Sequence, residues 1–267
     1  MTIQEYFEQI DTAYDTLNSE ELEIRLLALT EQLRGEYGEE GAEYAAMCSE
    51  LGAYYRGQGR FEESEKYFRD ALMLLVNTIG PDDPDYATAL NNLAGTVRKL
   101  NRPDEAEALF RQALSIYANS VGEKHILYAS GLNNLSLVAL DKGENDKATA
   151  LLEQATDILQ SLPEYRDELA AALVNMGSLH RQTGAIEKAG KELSQAIELF
   201  EKELGTRTPH YHAALYGLSL VRINEGRIPE ARELMRKART AATALYGAGH
   251  RETQIIDGYL RRLEDMK

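Results

Sequence analysis

The chain has no tryptophan, a single cysteine and only 6 prolines among its 267 residues. One cysteine, Cys48, excludes an internal disulfide. Sparse proline leaves room for uninterrupted helices, because each proline removes a backbone donor and clashes with the preceding turn. No stretch approaches the roughly 20 apolar residues that a membrane-spanning helix needs. The opening MTIQEYFEQIDTAY lacks a basic segment and an apolar core. It does not read as a secretory leader, and the expected location is cytoplasmic. Basic residues are also scarce, with 29 Lys and Arg against 44 Asp and Glu, a net charge of −15. That balance argues against a general nucleic-acid binder, whose cations must displace counterions from phosphates. It argues equally against an anionic membrane surface.

The negative charge is unevenly spread. Residues 1–45 hold 12 Asp and Glu against 2 Arg, a net −10. Residues 222–267 hold 10 Lys and Arg against 7 Asp and Glu, a net +3. Solvated helix faces account for both ends most simply, and head-to-tail association between unlike ends is the sharper reading.

What the chain has in abundance is repetition. Tyr44-Ala45, Tyr86-Ala87 and Tyr128-Ala129 recur at a spacing of 42 residues. In five successive units a Leu or Met is followed by a small residue, at Gly52, Ala94, Ser136, Gly177 and Ser219. Each is followed by a turn residue (Gly59, Asn101, Gly143, Gly184, Gly226) and then by a second apolar series, such as Ser64, Phe68 and Ala71. The spacing predicts two antiparallel helices per unit. Small residues where the helices face each other let them approach to the near end of the usual ~8–10 Å. Gly or Asn in the turn supplies left-handed backbone. The units run 42–83, 84–125, 126–167, 168–208 and 209–249. Residues 1–41 read as a degenerate first hairpin, with Ile3, Phe7, Ile10, Tyr14 and Leu17 as one stripe and Ser19 capping a second helix with Leu22, Leu26 and Leu29. Residues 250–267 read as a lone capping helix with Ile256, Tyr259, Leu260 and Leu263 inward and Arg261, Arg262 and Asp265 outward.

This pattern resembles the tetratricopeptide repeat. The period exceeds the usual 34 residues of that repeat. The longer form, with its Tyr-Ala-x-x-Leu-Asn-Asn-Leu-Ala opening and Gly-Pro-Asp-Asp-Pro loop, is similar to the repeats of kinesin light chains and their bacterial relatives. The resemblance is strong over about residues 44–247. It implies an all-α fold: one right-handed superhelical array of about six hairpins plus a C-terminal helix over residues 1–267. Such a fold does not by itself specify a function.

No catalytic or metal-binding set stands out, and neither an enzymatic activity nor a cofactor or metal is expected. His210 and His212 form an i, i+2 pair without the partners of a metal motif. His125 and His250 share the loop slot of Asp83, which suggests capping. His180 and Cys48 fall in apolar slots and read as packed core. Tyr44, Tyr86, Tyr128 and Tyr211 read as boundary packing.

The resemblance further implies a concave surface lined by the first helix of each unit. Off the core stripe those helices carry Asn91, Asn92, Asn133, Asn134 and Asn175, and one turn on Arg56, Arg98, Lys99 and Arg181. Asn inside a helix costs several tenths of a kcal/mol relative to Ala, so its recurrence calls for a reason. One reason is a peptide ligand, whose alternating N–H and C=O groups a side-chain amide can match. The other is a generic inter-helix hydrogen bond. The cations would hold acidic side chains or a free C-terminus. The leading expectation is a non-catalytic scaffold binding a peptide or protein segment. The alternative is a regulator whose superhelix responds to a small signalling peptide. Self-association through the charged ends is a further possibility.

Overall fold

The computed structural model describes residues 2–265. The side chains of Ile3, Asp15, Ser19 and Asp265 lie outside the described set, and with them the expected roles of Ile3 and Asp265. The described residues form 13 helices and no strand. They are α1 (Ile3–Thr16), α2 (Ser19–Tyr37), α3 (Ala42–Gly57), α4 (Phe61–Thr78), α5 (Pro84–Lys99), α6 (Pro103–Ser120), α7 (Ile126–Asp141), α8 (Asn145–Gln160), α9 (Arg166–Gln182), α10 (Ile186–Leu199), α11 (Pro209–Asn224), α12 (Ile228–Tyr246) and α13 (Arg251–Asp265). None of them is long and apolar enough to cross a membrane. A π turn, Phe200–Leu204, extends α10. The chain falls into two compact units, residues 1–138 and 139–267, which divide within α7.

The turns carry the repeat in their backbone. Gly59, Asn101, Gly143, Gly184 and Gly226 all have positive φ, between 59° and 84°. In each turn the next N–H reaches back to the carbonyl five residues earlier. Arg60 N–H donates to Tyr55 O (2.9 Å), Arg102 to Val97 (3.2 Å), Glu144 to Ala139 (2.8 Å), Ala185 to His180 (2.7 Å) and Arg227 to Arg222 (2.9 Å). This closure satisfies a carbonyl that the helix end would leave open, and it needs the left-handed residue between. Asn101, at φ 59°, is the one non-glycine in that conformation among the described residues.

Within a hairpin the small residues allow close approach, as their spacing predicts. A Cβ placed on Gly52 would sit 2.9 Å from the Phe68 ring, and one on Gly177 would sit 2.6 Å from Leu193 Cγ. Two serines in these slots also bond across the hairpin. Ser64 Oγ donates to Gly52 O and Ser219 Oγ to Ala231 O, each at 2.7 Å. Ser64 further meets Thr96 Oγ1 of the next unit at 2.9 Å.

In the first unit, α1 and α2 pack on α3 through Tyr6, Ile10, Leu22, Leu26, Leu29, Leu33, Met47, Leu51 and Tyr54. The buried face of α1 is Tyr6, Ile10 and Ala13, whereas Tyr14 of the expected stripe is 43% exposed. A stripe drawn through Tyr14 therefore points about one residue away from the buried one. The cap of α2 also differs from expectation. Asn18, not Ser19, is the N-cap, and its Oδ1 accepts from the N–H groups of Glu20 and Glu21 at 3.1 Å each. Asn ranks with Ser as a cap, so sequence alone left the choice of neighbour open.

In the second unit, Ile256, Leu260 and Leu263 of α13 are buried, and Tyr259 meets Tyr216 edge-on at 5.5 Å. Arg232 of α12 donates to Leu263 O at 2.7 Å. The helix-start histidines cap as their slot suggests. His125 Nδ1 accepts from Leu127 N–H (3.3 Å) and His250 Nδ1 from Glu252 N–H (3.2 Å), as Asp83 Oδ1 does from Asp85 N–H (2.8 Å).

Candidate functional site

In the first unit α3, α5 and α7 lie side by side. Their facing residues enclose a cleft of about 240 Å³ lined by Arg56, Asn91, Asn92, Arg98, Lys99 and Asn134, with Gly95, Phe110 and Leu137 completing the wall. Six of the nine residues singled out in the sequence thus face one space. Three of the lining residues are cations and none is a carboxylate, in a chain of net charge −15.

Each element places its side chain for a local reason. Arg56 sits at the end of α3, where a cation complements the helix dipole. Its guanidinium lies over the Phe68 ring, 5.6 Å from the centroid. Its Nη1 donates to Asn92 O and Asn92 Oδ1, both at 3.3 Å. The residue expected to await a carboxylate is therefore already tied to the next hairpin. Burial pushes its guanidinium below the ordinary value. Gly95 makes room for this bridge, since a Cβ there would stand 3.3 Å from Arg56 Nη1. Gly95 was not singled out in the sequence, although Leu137 fills the same slot one unit later.

The asparagines divide. Asn134 Nδ2 donates to Asn91 Oδ1 at 3.4 Å, joining α7 to α5. That bond occupies the amide nitrogen of Asn134 and the amide oxygen of Asn91 and leaves the amide nitrogen of Asn91 and the amide oxygen of Asn134 outside it. Flipping both amides would again leave one donor and one acceptor. Asn133 does not line the cleft, and its backbone carbonyl accepts from Ser136 Oγ at 2.6 Å. Asn175 and Arg181 belong to α9, in the second unit. Arg181 carries a buried Nε without a hydrogen-bond partner.

Other titratable groups have structural settings. Cys48 is buried, and burial pushes its thiol up to about 12. His180 is buried against Glu192, Nδ1 to Oε2 at 2.7 Å. Burial raises the Glu192 carboxyl and the bond to His180 opposes that rise. The sequence signal for this pair was present but unread: Glu192 stands in a slot that holds Tyr67, Leu109 and Leu151 in other units. His212 is buried with its ring edge on Tyr246 at 5.4 Å. Among the described residues no group of three or more His, Cys, Asp or Glu could hold a metal ion.

These hairpins, with a left-handed turn in each, define an all-α helical-repeat protein. The tetratricopeptide repeat model matches residues 42–119, 104–161 and 168–244, and the chain belongs to that family. Its repeats are of the kinesin-light-chain-like kind. No curated protein matches the chain in sequence. Three solved structures are similar in fold. One is a kinesin light chain with nearly identical TPR-like repeats from Podosopora anserina (20% identity, TM-score 0.58, covering 80% of this chain and 96% of that one). Another is NprR in complex with its cognate peptide NprX (17%, 0.71, 99% and 74%). The third is a Rap protein complexed with the Competence and Sporulation Factor (17%, 0.72, 98% and 75%).

Proposed function

We propose that the protein is a non-catalytic scaffold that binds an extended, acidic peptide segment or a free C-terminus along its first helices, centred on the cleft of α3, α5 and α7. The observation that carries this reading is the composition of the cleft. It presents three cations, no carboxylate, and an Asn91–Asn134 pair with one donor and one acceptor to spare. A peptide backbone alternates the complementary groups. Arg98 and Lys99 at the cleft edge would take the acidic side chains or terminal carboxylate, since charge-assisted bonds of this kind are roughly twice as strong as neutral ones. Asn175 and Arg181 of α9, in the second unit, would offer an amide and a cation of the same kinds.

A second reading draws on the relatives in fold. NprR is solved with its cognate peptide and Rap with the Competence and Sporulation Factor. On that reading the occupant is a short signalling peptide and its binding changes the arrangement of the hairpins. Calorimetry with acidic synthetic peptides, each with a free and an amidated C-terminus, tests both readings. Binding should weaken on amidation and fall at least roughly tenfold in Arg98→Glu, in line with the loss of one charge-assisted contact. Unchanged binding in Arg98→Glu and in Asn91→Ala/Asn134→Ala, with helicity intact, would show that the ligand sits elsewhere. A change in hydrodynamic radius on saturation would favour the sensor over the scaffold.

A further inference from the structure

Two surfaces outside that cleft are complementary to each other. The first is on α12. Its outward face and the turn before α11 enclose a cleft of about 530 Å³ with Tyr211, Ala241 and Ala244 on its floor. Arg207 and Lys237 border it, with Arg236 beyond and one carboxylate, Glu233, at the rim. Arg236 has Glu264 at 3.7 Å. Arg207 and Lys237 have no ion pair or hydrogen bond among the described residues. Elsewhere in the chain Arg60, Arg69, Arg102 and Arg227 each bond two carboxylates.

The second surface is the outer face of α2. Its inner face is Leu22, Leu26, Leu29 and Leu33, all buried. On the opposite face stand Glu20, Ile24, Leu27 and Glu31, at helical spacings of four, three and four. Ile24 is 63% exposed and Leu27 36%. The Glu20 carboxylate has no partner among the described residues, and Glu31 meets only the exposed Arg34, at 3.4 Å. An apolar pair thus lies between two carboxylates, facing nothing. From Glu20 to Glu31 the face runs eleven residues, about 16 Å at the helical rise. The cleft on α12 runs from Glu233 to Ala244, which is the same length.

We propose that α2 of one copy docks in the α12 cleft of a second copy. Ile24 and Leu27 cover the apolar floor, and Glu20 and Glu31 meet Arg207 and Lys237. The occupant is a second copy because both complementary faces are in one molecule, and because its charge is divided the same way, −10 over residues 1–45 and +3 over residues 222–267. The contact joins unlike surfaces, so each copy keeps one open end and association does not stop at a dimer unless a ring closes. It is independent of the α3–α5–α7 cleft and stands or falls without it.

Sedimentation velocity of the full chain tests this over a range of concentrations and at two salt levels, where the screening length is about 10 Å and about 3 Å. The chain should associate at low salt and dissociate at high salt. Arg207→Glu/Lys237→Glu and Glu20→Lys/Glu31→Lys should each weaken self-association at least roughly tenfold, since like charges then face each other. All four positions are polar and near the surface, and circular dichroism checks that helicity is kept. An equimolar mixture of the two variants should associate again, because the native α2 of one meets the native cleft of the other and the reversed pair also matches. A wild-type chain that stays monomeric at low salt, association that survives both variants, or a mixture that stays apart would each overturn the proposal.

Discussion

Leu193 offers the sharpest test of how these hairpins are held. Its side chain is fully buried in α10 between two helical glycines, Gly177 of α9 and Gly217 of α11. A Cβ at Gly177 would lie 2.6 Å from Leu193 Cγ, 3.1 Å from its Cδ2 and 3.3 Å from the backbone oxygen of Ala189. Retreat is blocked, because a Cβ at Gly217 would already stand 3.2 Å from Leu193 Cδ1 on the other side. In Gly177→Ala two effects therefore oppose each other. Ala gains about 0.8–1.0 kcal/mol in helix propensity. Overpacking costs about 1–3 kcal/mol. The net expectation is a loss of up to about 2 kcal/mol. Leu193→Ala alone should cost about 2–5 kcal/mol through lost burial and the cavity it leaves. In the Leu193→Ala background the contacts with Leu193 are gone and only the 3.3 Å approach to Ala189 O remains, so the same Gly177→Ala change should stabilise by up to about 0.8–1.0 kcal/mol. The sign of one substitution thus reverses with its neighbour, a coupling of about 1–3 kcal/mol. Urea unfolding followed by circular dichroism reads the four proteins of the cycle. Repeat arrays can unfold in more than one step, so hydrogen exchange of α9 and α10 amides supplies the local value. The steric account is wrong if Gly177→Ala has the same sign and size in both backgrounds.

Three further outcomes follow from single residues. Asn101→Ala should cost about 1–2 kcal/mol in a urea titration, because Asn101 sits at φ 59° and Ala resists left-handed backbone; no loss would mean that the turn relaxes. Cys48, buried with its thiol raised to about 12, should react with a thiol reagent in step with unfolding, and labelling of native protein at a free-thiol rate would refute that. His212 has its pKa lowered from 6.5, first by burial. The unfolded chain then takes up the proton first, so the stability His212 contributes is complete above about 6.5 and is lost as the pH falls from there towards its folded value. Glu168, raised to about 7 first by burial, gives the opposite slope between about 4.5 and 7. Urea midpoints of wild type and His212→Gln from neutral to acidic pH separate the two, and the wild type should lose more; parallel curves would show that His212 is not coupled to folding.

The hairpins were legible because they depend on period, and period survives in a linear text. The positions that fix them are turn residues and small residues, and both act within about twelve residues of each other. Gly52 reaches Ser64 and Ser219 reaches Ala231 at that separation. Caps were legible by slot, as His125 and His250 show by taking the place of Asp83. What failed was the degenerate end. With no repeat to compare, the α1 stripe was drawn through Tyr14, and the cap of α2 was placed one residue late. Both errors are of a single residue, the limit of a 3.6-residue period read without neighbours.

The cleft was harder to read because its contacts join units. Arg56 reaches Asn92 across 36 residues and Asn134 reaches Asn91 across 43. The sequence could say which residues lie off the core stripe, and six of those nine do line one space. It could not say what they already hold. Arg56 holds a neighbouring helix, so part of its charge is committed before any ligand arrives. The recurring Asn has two readings in the sequence, an inter-helix bond and a ligand contact. Stoichiometry allows both. A side-chain amide has one donor group and one acceptor, and a bond between two of them consumes one of each. Two asparagines in adjacent units therefore tie their helices together and still keep one amide nitrogen and one amide oxygen outside that bond. An aliphatic pair in these slots could pack the helices but would present neither, and a charged pair would repel or demand a counter-ion. Asparagine on adjacent helices is thus compatible with both readings, an inter-helix bond and a contact to a ligand.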